Sequence, residues 1–212
     1  MTSPRQIAMH VRKRLPRPVR WLLRVAKLVA QPGHSSAAVS PELIGDCRFF
    51  ASRVDMLGAL PAGGEIAEVG TDRGDFARHI LATARPARLH LFDLEFASLA
   101  ADIAGDPRVS LYLGASAKTI GALTDQSMDW IYIDGDHSYA GVAADIRAAA
   151  AKVRPGGYLV FNDFAHADPF LGRYGVHRAV MEFVASARWP IVMFAYEPNG
   201  LYDVALRRPQ AR

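Results

Sequence analysis

Three apolar runs in this chain end in residues that can do chemistry. Trp130-Ile131-Tyr132-Ile133 leads into Asp134-Gly135-Asp136-His137, which places two carboxylates and an imidazole within four positions. Tyr158–Phe161 leads into Asn162-Asp163, and Ile66–Val69, with Glu68 inside it, leads into Gly70-Thr71-Asp72-Arg73-Gly74. A histidine titrates close to neutral pH and suits proton transfer. In an open α/β sheet, ligands bind beyond the carboxyl ends of the strands, where the strand order reverses. Three strand-like runs that end in glycine, carboxylates or an amide therefore predict one shared site. That pattern points to an enzyme with a nucleoside-bearing cofactor.

The glycine loop narrows the cofactor. A dinucleotide site has Gly-x-Gly-x-x-Gly, whose second glycine admits a pyrophosphate. Here the spacing is Gly70-x-x-x-Gly74, with Glu68 before it and Asp75 after it. Carboxylates at both places repel phosphate and suit a cationic amino group. The backbone N–H groups of Gly70, Thr71 and the helix start after Gly74 can hold a carboxylate. A zwitterionic amino-acid end fits this loop. Asp93 closes the next apolar run, where a carboxylate can accept from both hydroxyls of a ribose. Gly114-Ala115-Ser116 closes the third, leaving room for a base whose edge Ser116 would bond. Ribose, base and amino acid without phosphate describe S-adenosylmethionine. Singly, Asp93 reads equally well as a helix N-cap, and Glu68 as a surface charge.

The stretches Glu68-Val69-Gly70-Thr71-Asp72-Arg73-Gly74-Asp75-Phe76, Ile133-Asp134-Gly135-Asp136-His137-Ser138-Tyr139, Arg154-Pro155-Gly156-Gly157 and Phe161-Asn162-Asp163-Phe164 carry a family resemblance. Over roughly residues 45–207 the chain resembles class I S-adenosylmethionine-dependent methyltransferases. Within them it is most similar to the metal-dependent sugar and macrolide O-methyltransferases and their cephalosporin-hydroxylase-like relatives. The resemblance implies a doubly wound, mainly parallel seven-stranded sheet with an antiparallel C-terminal hairpin.

Methyl transfer to an alcohol needs a deprotonated nucleophile in line with the S–CH₃ bond. A divalent cation lowers the hydroxyl pKa, and a nearby base takes the proton. The resemblance assigns Mg²⁺ ligation to Asp134, Asn162 and Asp163, hard oxygen donors of the right kind. Many relatives carry a carboxylate where Asn162 stands. His137 is then the expected base, with Asp136 as the second candidate. The competing reading for Asp136 is capping, by itself or by Ser138, of the helix expected from Tyr139. A metal-independent reaction, with Asp134 and Asp136 orienting the reactants, is the alternative. The expected acceptor is a hydroxyl of a small molecule or glycosyl group. Phe164, Phe170, Tyr174 and Trp189 are candidates to line its pocket, or else ordinary packing residues. His166–Tyr174, irregular in composition, is expected to be a mobile lid.

The elements that must position these groups follow from periodicity. Strands are expected at 65–69, 88–92, 109–113, 128–133 and 158–161. Helices are expected at 42–59, from Asp75 to about Ala84, near 96–104, at 115–124, over Tyr139–Val153 and over Val176–Ala187. Ile191–Ala195 and Leu201–Leu206 read as a hairpin around Glu197-Pro198-Asn199-Gly200. Alternating strands and helices imply a mainly parallel sheet covered on both faces.

Charge separates an extension, residues 1–40, from a domain, residues 41–212. The chain carries +4 overall, yet Arg5, Arg12, Lys13, Arg14, Arg17, Arg20, Arg24 and Lys27 all precede residue 42 with no acidic residue among them. The domain is therefore net acidic, and its basic neighbour is no sign of nucleic-acid binding. The strand end Ile133-Asp134-Gly135-Asp136 also lacks the Asp/Asn-Pro-Pro-Tyr/Phe block of adenine-N6 methyltransferases. Val19–Ala30 places Arg20, Arg24 and Lys27 on one helical face, with Trp21, Leu22, Val25, Leu28 and Val29 over much of the rest. Such a helix suits an anionic membrane surface, its own domain, or a second subunit in a homo-oligomer. A membrane-peripheral module that binds cofactor without catalysis is the non-enzymatic alternative. No apolar run approaches the ~20 residues that span a bilayer. The single Cys47 forms no internal disulfide, consistent with a cytoplasmic, reducing setting.

Overall fold

The computed structural model describes residues 16, 18, 19, 21, 22, 37–165, 167, 168, 172–198 and 200–210. Of the helix expected over 19–30, residues 19, 21 and 22 are described and are helical; the rest lies outside the described residues. No helix among the described residues is long and apolar enough to cross a membrane.

An eight-stranded sheet organises the domain. Its strands are β1 (Arg48–Phe50), β2 (Glu65–Val69), β3 (Arg88–Asp93), β4 (Val109–Leu113), β5 (Met128–Ile133), β6 (Val153–Phe161), β9 (Ile191–Ala195) and β10 (Asp203–Arg207). They lie in the order β1-β9-β10-β6-β5-β2-β3-β4. Only β10 is antiparallel to its neighbours, β6 and β9. Between β6 and β9 a two-stranded ribbon, β7 (Ala167–Asp168) and β8 (Gly172–Arg173), occupies part of the segment expected to be an irregular lid. The helices are α1 (Arg53–Leu57), α2 (Asp75–Thr83), α3 (Ala101–Ala104), α4 (Ser116–Thr119), α5 (Tyr139–Ala150) and α6 (Val176–Ala187).

Alternation along the central strands builds two cores. Ala67, Val69, Ile131, Ile133, Leu159 and Phe161 face α5 and α6. Ile66, Trp130, Tyr132 and Val160 face α1 and α2. Every residue of β5 is buried, as a parallel strand covered on both faces requires. The C-terminal ends stay level: Val69 pairs with Ile133, and Ile133 with Phe161. Whatever follows each of these strands therefore emerges along one edge.

The expected sheet of seven strands gains an eighth. The helix expected over 42–59 is instead a 3-10 turn at Pro41–Leu43, then β1, then α1. Arg48-Phe49-Phe50 pairs in parallel with β9 at the sheet edge, and aromatic residues favour that setting. Ser52 then caps α1, its hydroxyl accepting from the Asp55 N–H at 3.1 Å. The helix expected to reach Val153 stops at Ala150, and Pro155-Gly156-Gly157 lies inside β6 rather than before it. The register of β6 against β5 shifts between Met128 and Trp130, which absorbs that proline.

Candidate active site

The strand order reverses between β2 and β5, and Gly70 and Asp134 stand at that point. The Gly70 N–H donates to Phe92 O and the Asp134 N–H to Val69 O, each at 2.8 Å. Gly70 has φ 89°, and a Cβ there would lie 2.2 Å from the Asp134 carbonyl oxygen. Only glycine satisfies both constraints. Beside this crossing lies a cavity of about 570 Å³, a size that suits a small-molecule ligand.

Of the predicted site residues, Gly70, Asp93, Ser116, Asp134 and Asp136 line the cavity. The Asp93 carboxylate accepts from the Thr71 and Asp72 N–H groups, both at 2.9 Å, so it ties the glycine loop to the end of β3. The Ser116 hydroxyl donates to Asp145 Oδ1 at 2.6 Å. Glu68, Thr71, Gly74, His137, Asn162 and Asp163 are not on the cavity wall. Gly74 is the left-handed residue before α2.

Glu68 is not the surface charge that a single-residue reading allows. It is 1% exposed, and its Oε2 has no hydrogen-bond partner. Burial drives its pKa well above 4.5, with the Asp134 and Asp93 charges adding to that and Arg53 opposing it. The Thr71 hydroxyl is likewise buried without a partner. Two orphaned polar atoms at an acidic loop fit a ligand that brings a cationic donor there, as the amino-acid end of S-adenosylmethionine does.

Beyond Asp134, the chain turns so that His137 Nε2 lies 3.4 Å from Asp134 Oδ1 and 3.2 Å from Asp163 Oδ2. Both contacts become ion pairs when the imidazole is protonated. The ring stacks on Tyr174 at 4.6 Å between centroids, and the His137 carbonyl accepts from the Gly175 N–H at 2.7 Å. Burial disfavours the imidazolium, but Asp134, then Asp163 and Asp136, outweigh it and raise the His137 pKa above 6.5. Capping of α5 falls to Ser138, whose hydroxyl accepts from the Gly141 N–H at 3.1 Å. Asp136 Oδ1 accepts from the Ser138 N–H at 2.8 Å and so shapes the turn before the helix.

The Asn162 amide nitrogen joins a buried network. Its Nδ2 donates to Asp203 Oδ1 at 3.0 Å and to the Tyr132 hydroxyl at 3.3 Å. Tyr132 in turn donates to Asp203 Oδ2 at 2.6 Å. Asp203 is fully buried, and burial pushes its carboxyl up to about 7 against the hydrogen bond from Tyr132. Arg53 closes this network from α1, lying 3.5 Å from the Tyr132 hydroxyl and 3.9 Å from Asp134 Oδ2 over the ring of Phe76. With Nδ2 given to Asp203 and Tyr132, the Oδ1 carbonyl is the atom Asn162 has left for a metal. Asp134 and Asp163 converge on His137, while the Asn162 amide faces a buried acid. Among the described residues, no group of three or more His, Cys, Asp or Glu is arranged to hold a metal ion.

Arg53, Tyr132, Asp145 and Asp203 are site residues that the sequence reading missed. Asp145 and Asp203 had a signal, being carboxylates on otherwise apolar stripes: Asp145 with Val142, Ile146 and Ala149, and Asp203 heading an apolar strand. Trp189, a candidate for the acceptor pocket, packs in the core against Phe183.

The family described as "Methyltransferase domain" matches residues 67–164, which span the glycine loop, the Asp134–His137 turn and Asn162-Asp163. Residues 67–164 are thus similar to a methyltransferase domain. No curated protein matches the sequence. Solved structures with the same fold include the N-methyltransferase NodS from Bradyrhizobium japonicum, in complex with S-adenosyl-L-homocysteine. It has 16% identity and a TM-score of 0.58, over 74% of this chain and 86% of that one. An O-methyltransferase family protein from Burkholderia thailandensis has 15% identity and a TM-score of 0.57, over 76% of this chain and 56% of that one. The B. subtilis tRNA methyltransferase TrmK has 15% identity and a TM-score of 0.56, over 76% and 66%. The chain thus spans two thirds or less of the length of two of these solved chains. At such identities the likeness bears on the fold alone.

Proposed function

We propose that this protein is an O-methyltransferase that moves the methyl group of S-adenosylmethionine to a hydroxyl of a small molecule or glycosyl group, with His137 as the base. The observation that carries this reading is the imidazole flanked by two carboxylates, next to a cavity walled by Asp134 and Asp136. The cofactor supplies an electrophilic methyl carbon on a sulfonium. His137 takes the hydroxyl proton as the new O–C bond forms and the S–C bond breaks. Asp134 and Asp163 hold the resulting imidazolium, in the way a carboxylate orients and stabilises a catalytic histidine. Asp134, joined by Glu68 once a cationic donor displaces its proton, makes the cofactor side of the site negative, which favours a cationic donor over its neutral thioether product.

A magnesium-assisted form of the same reaction requires Asp134, Asn162 and Asp163 oxygens at one point. Because His137 Nε2 stands between the Asp134 and Asp163 carboxylates, the proposal is the metal-free form, and activity in chelator separates the two. The extension stays part of the proposal: residues 19–30 would rest on an anionic membrane surface, tested by liposome co-sedimentation with and without residues 1–35. The principal experiment follows labelled methyl from S-adenosylmethionine onto a panel of vicinal diols, glycosides and amines, using wild type and His137→Gln. Methyl ether products that depend on His137 support the reading. Methylation of amines only, or a His137→Gln enzyme with full activity, overturns it.

A further inference from the structure

Arg173 carries a guanidinium that the fold itself does not use. It closes β8, and its Nε is buried without a hydrogen-bond partner. Among the described residues it enters no ion pair, whereas Arg53 lies 3.9 Å from Asp134 and Arg178 is bonded to Glu182 at 2.8 Å. A buried N–H without an acceptor carries its full desolvation penalty, which is larger on a charged group. An atom left so in a native fold calls for an explanation, and a ligand oxygen supplies one.

The backbone ties this arginine to the proton-accepting side of the site. Tyr174, the next residue, stacks on the His137 ring at 4.6 Å between centroids. The Gly175 N–H donates to the His137 carbonyl at 2.7 Å. A Cβ at Gly175 would lie 2.0 Å from Tyr139 N, so no side chain can come between the two segments. The other end of the ribbon leaves from Asp163, whose Oδ2 is 3.2 Å from His137 Nε2. It runs through Phe164 and Ala165 to β7, where Ala167 pairs with Arg173. Both ends of the ribbon thus start from residues that touch the imidazole, and Arg173 stands one position from that contact.

The signs of the charges say what the ligand brings. The carboxylates of Asp134 and Asp163 flank the base, and Arg53 is already committed to Asp134 and Tyr132. A neutral acceptor would leave the Arg173 Nε buried and unpaired in the complex as well. We propose that the acceptor carries an anionic oxygen group, a carboxylate or a phosphate monoester, near the hydroxyl that is methylated, and that Arg173 binds it. The planar guanidinium fork matches either group through two N–H donors. A site built to bond one polar group rejects an analogue that lacks it, because the partner is left unsatisfied. The anion is argued from Arg173 alone, while the hydroxyl rests on the O-methylation proposed above.

The test is calorimetric binding to the full-length protein saturated with S-adenosylhomocysteine, using ligands matched except for charge. The pairs are catechol against protocatechuate, methyl glucoside against methyl glucuronide, and methyl glucoside against its phosphate monoester. In at least one pair the anionic member is expected to bind about 10–100-fold more tightly, the range for hydrogen bonds to a charged group. The pair that responds tells carboxylate from phosphate. Arg173→Met, which keeps the apolar stem, is expected to bring that ratio to one, and Arg173→Lys to keep part of it. Without ligand, Arg173→Met should melt no lower than wild type, because it removes an unsatisfied N–H. Equal affinities within every pair overturn the proposal. So does a preference that survives in Arg173→Met, which would belong to the general positive charge of the chain. A variant that fails to fold or melts lower also overturns it, since the guanidinium would then be a structural tie. Methyl ethers formed equally well from neutral and anionic members would overturn it and leave O-methylation standing. Anion binding that depends on Arg173, with amine products only, would do the reverse.

Discussion

Glu68→Gln separates the stability of the empty site from its function. The Glu68 carboxyl is 1% exposed and Oε2 is unpartnered. Burial raises its pKa, Asp134 and Asp93 add to the rise, and Arg53 only partly offsets it. As pH increases past 4.5, the unfolded chain releases this proton while the folded chain retains it. Wild type therefore loses stability with rising pH until the folded value is reached, at about 1 kcal/mol per pH unit. Glutamine has the same shape and no such term. Thermal unfolding of the ligand-free proteins should coincide near pH 4. By pH 6 the glutamine variant should be more stable by about 1–2 kcal/mol, several degrees in Tm for a chain of this size.

Cofactor binding should move the other way. With a sulfonium and an ammonium nearby, the ionised carboxylate gains a partner that glutamine cannot replace. We expect Glu68→Gln to bind S-adenosylmethionine about tenfold more weakly at pH 7, the loss of one charge-assisted interaction. Wild type should release a proton on binding, seen by comparing buffers of different ionisation enthalpy, and the variant should not. A variant less stable than wild type at pH 6, or one whose Tm difference does not grow with pH, would refute the reasoning, because the acid would then be satisfied in the empty protein.

His137→Gln should lower kcat about 10²–10⁴-fold with cofactor affinity retained, the usual loss for a general base. In wild type, kcat/KM should rise with pH through an apparent pKa above 6.5, since the base must be neutral. Asp163→Asn should move that rise about one unit toward acid by removing a charge 3.2 Å from Nε2. Its left-handed backbone, φ 55°, is one that asparagine adopts readily, so a loss of fold is not the expected outcome. Chelation of divalent ions should leave activity intact; a loss restored by Mg²⁺ alone would return the metal-assisted form. Gly70→Ala should cost about 2–4 kcal/mol in denaturant unfolding and abolish cofactor binding, since a Cβ there meets the Asp134 backbone.

How far the sequence revealed this site differs from residue to residue. The strand ends were legible because each apolar run stops at a polar residue, and a parallel sheet lines those stops along one edge. β1 was hidden because Arg48-Phe49-Phe50 is too short to show a period, and its pairing partner, β9, lies more than a hundred residues away. Pro155-Gly156-Gly157 read as a terminator because local turn chemistry says so. The strand continues through it by slipping register against Met128–Trp130. Arg53 gave no sign at all: a single arginine near a helix start is ordinary, and only the fold carries it to Tyr132 and Asp134.

Asn162 shows why residue type and position do not determine role. An amide offers a carbonyl oxygen to a metal and an N–H pair to an acid, and the spacing to Asp163 does not reveal the second of these partners. The structure places Asp203, from a strand some forty residues later, where it accepts from Nδ2 at 3.0 Å. An aspartate at 162 would set a second carboxylate against that one, inside a region where burial already lifts Asp203 to about 7. Like charges so placed cannot both ionise. The amide is thus what the buried network of Tyr132, Asp203 and Arg53 demands of Nδ2, and Oδ1 takes no part in that network. The same carboxylates, Asp134 and Asp163, are then left to the imidazole between them, which is the arrangement a proton-accepting histidine needs.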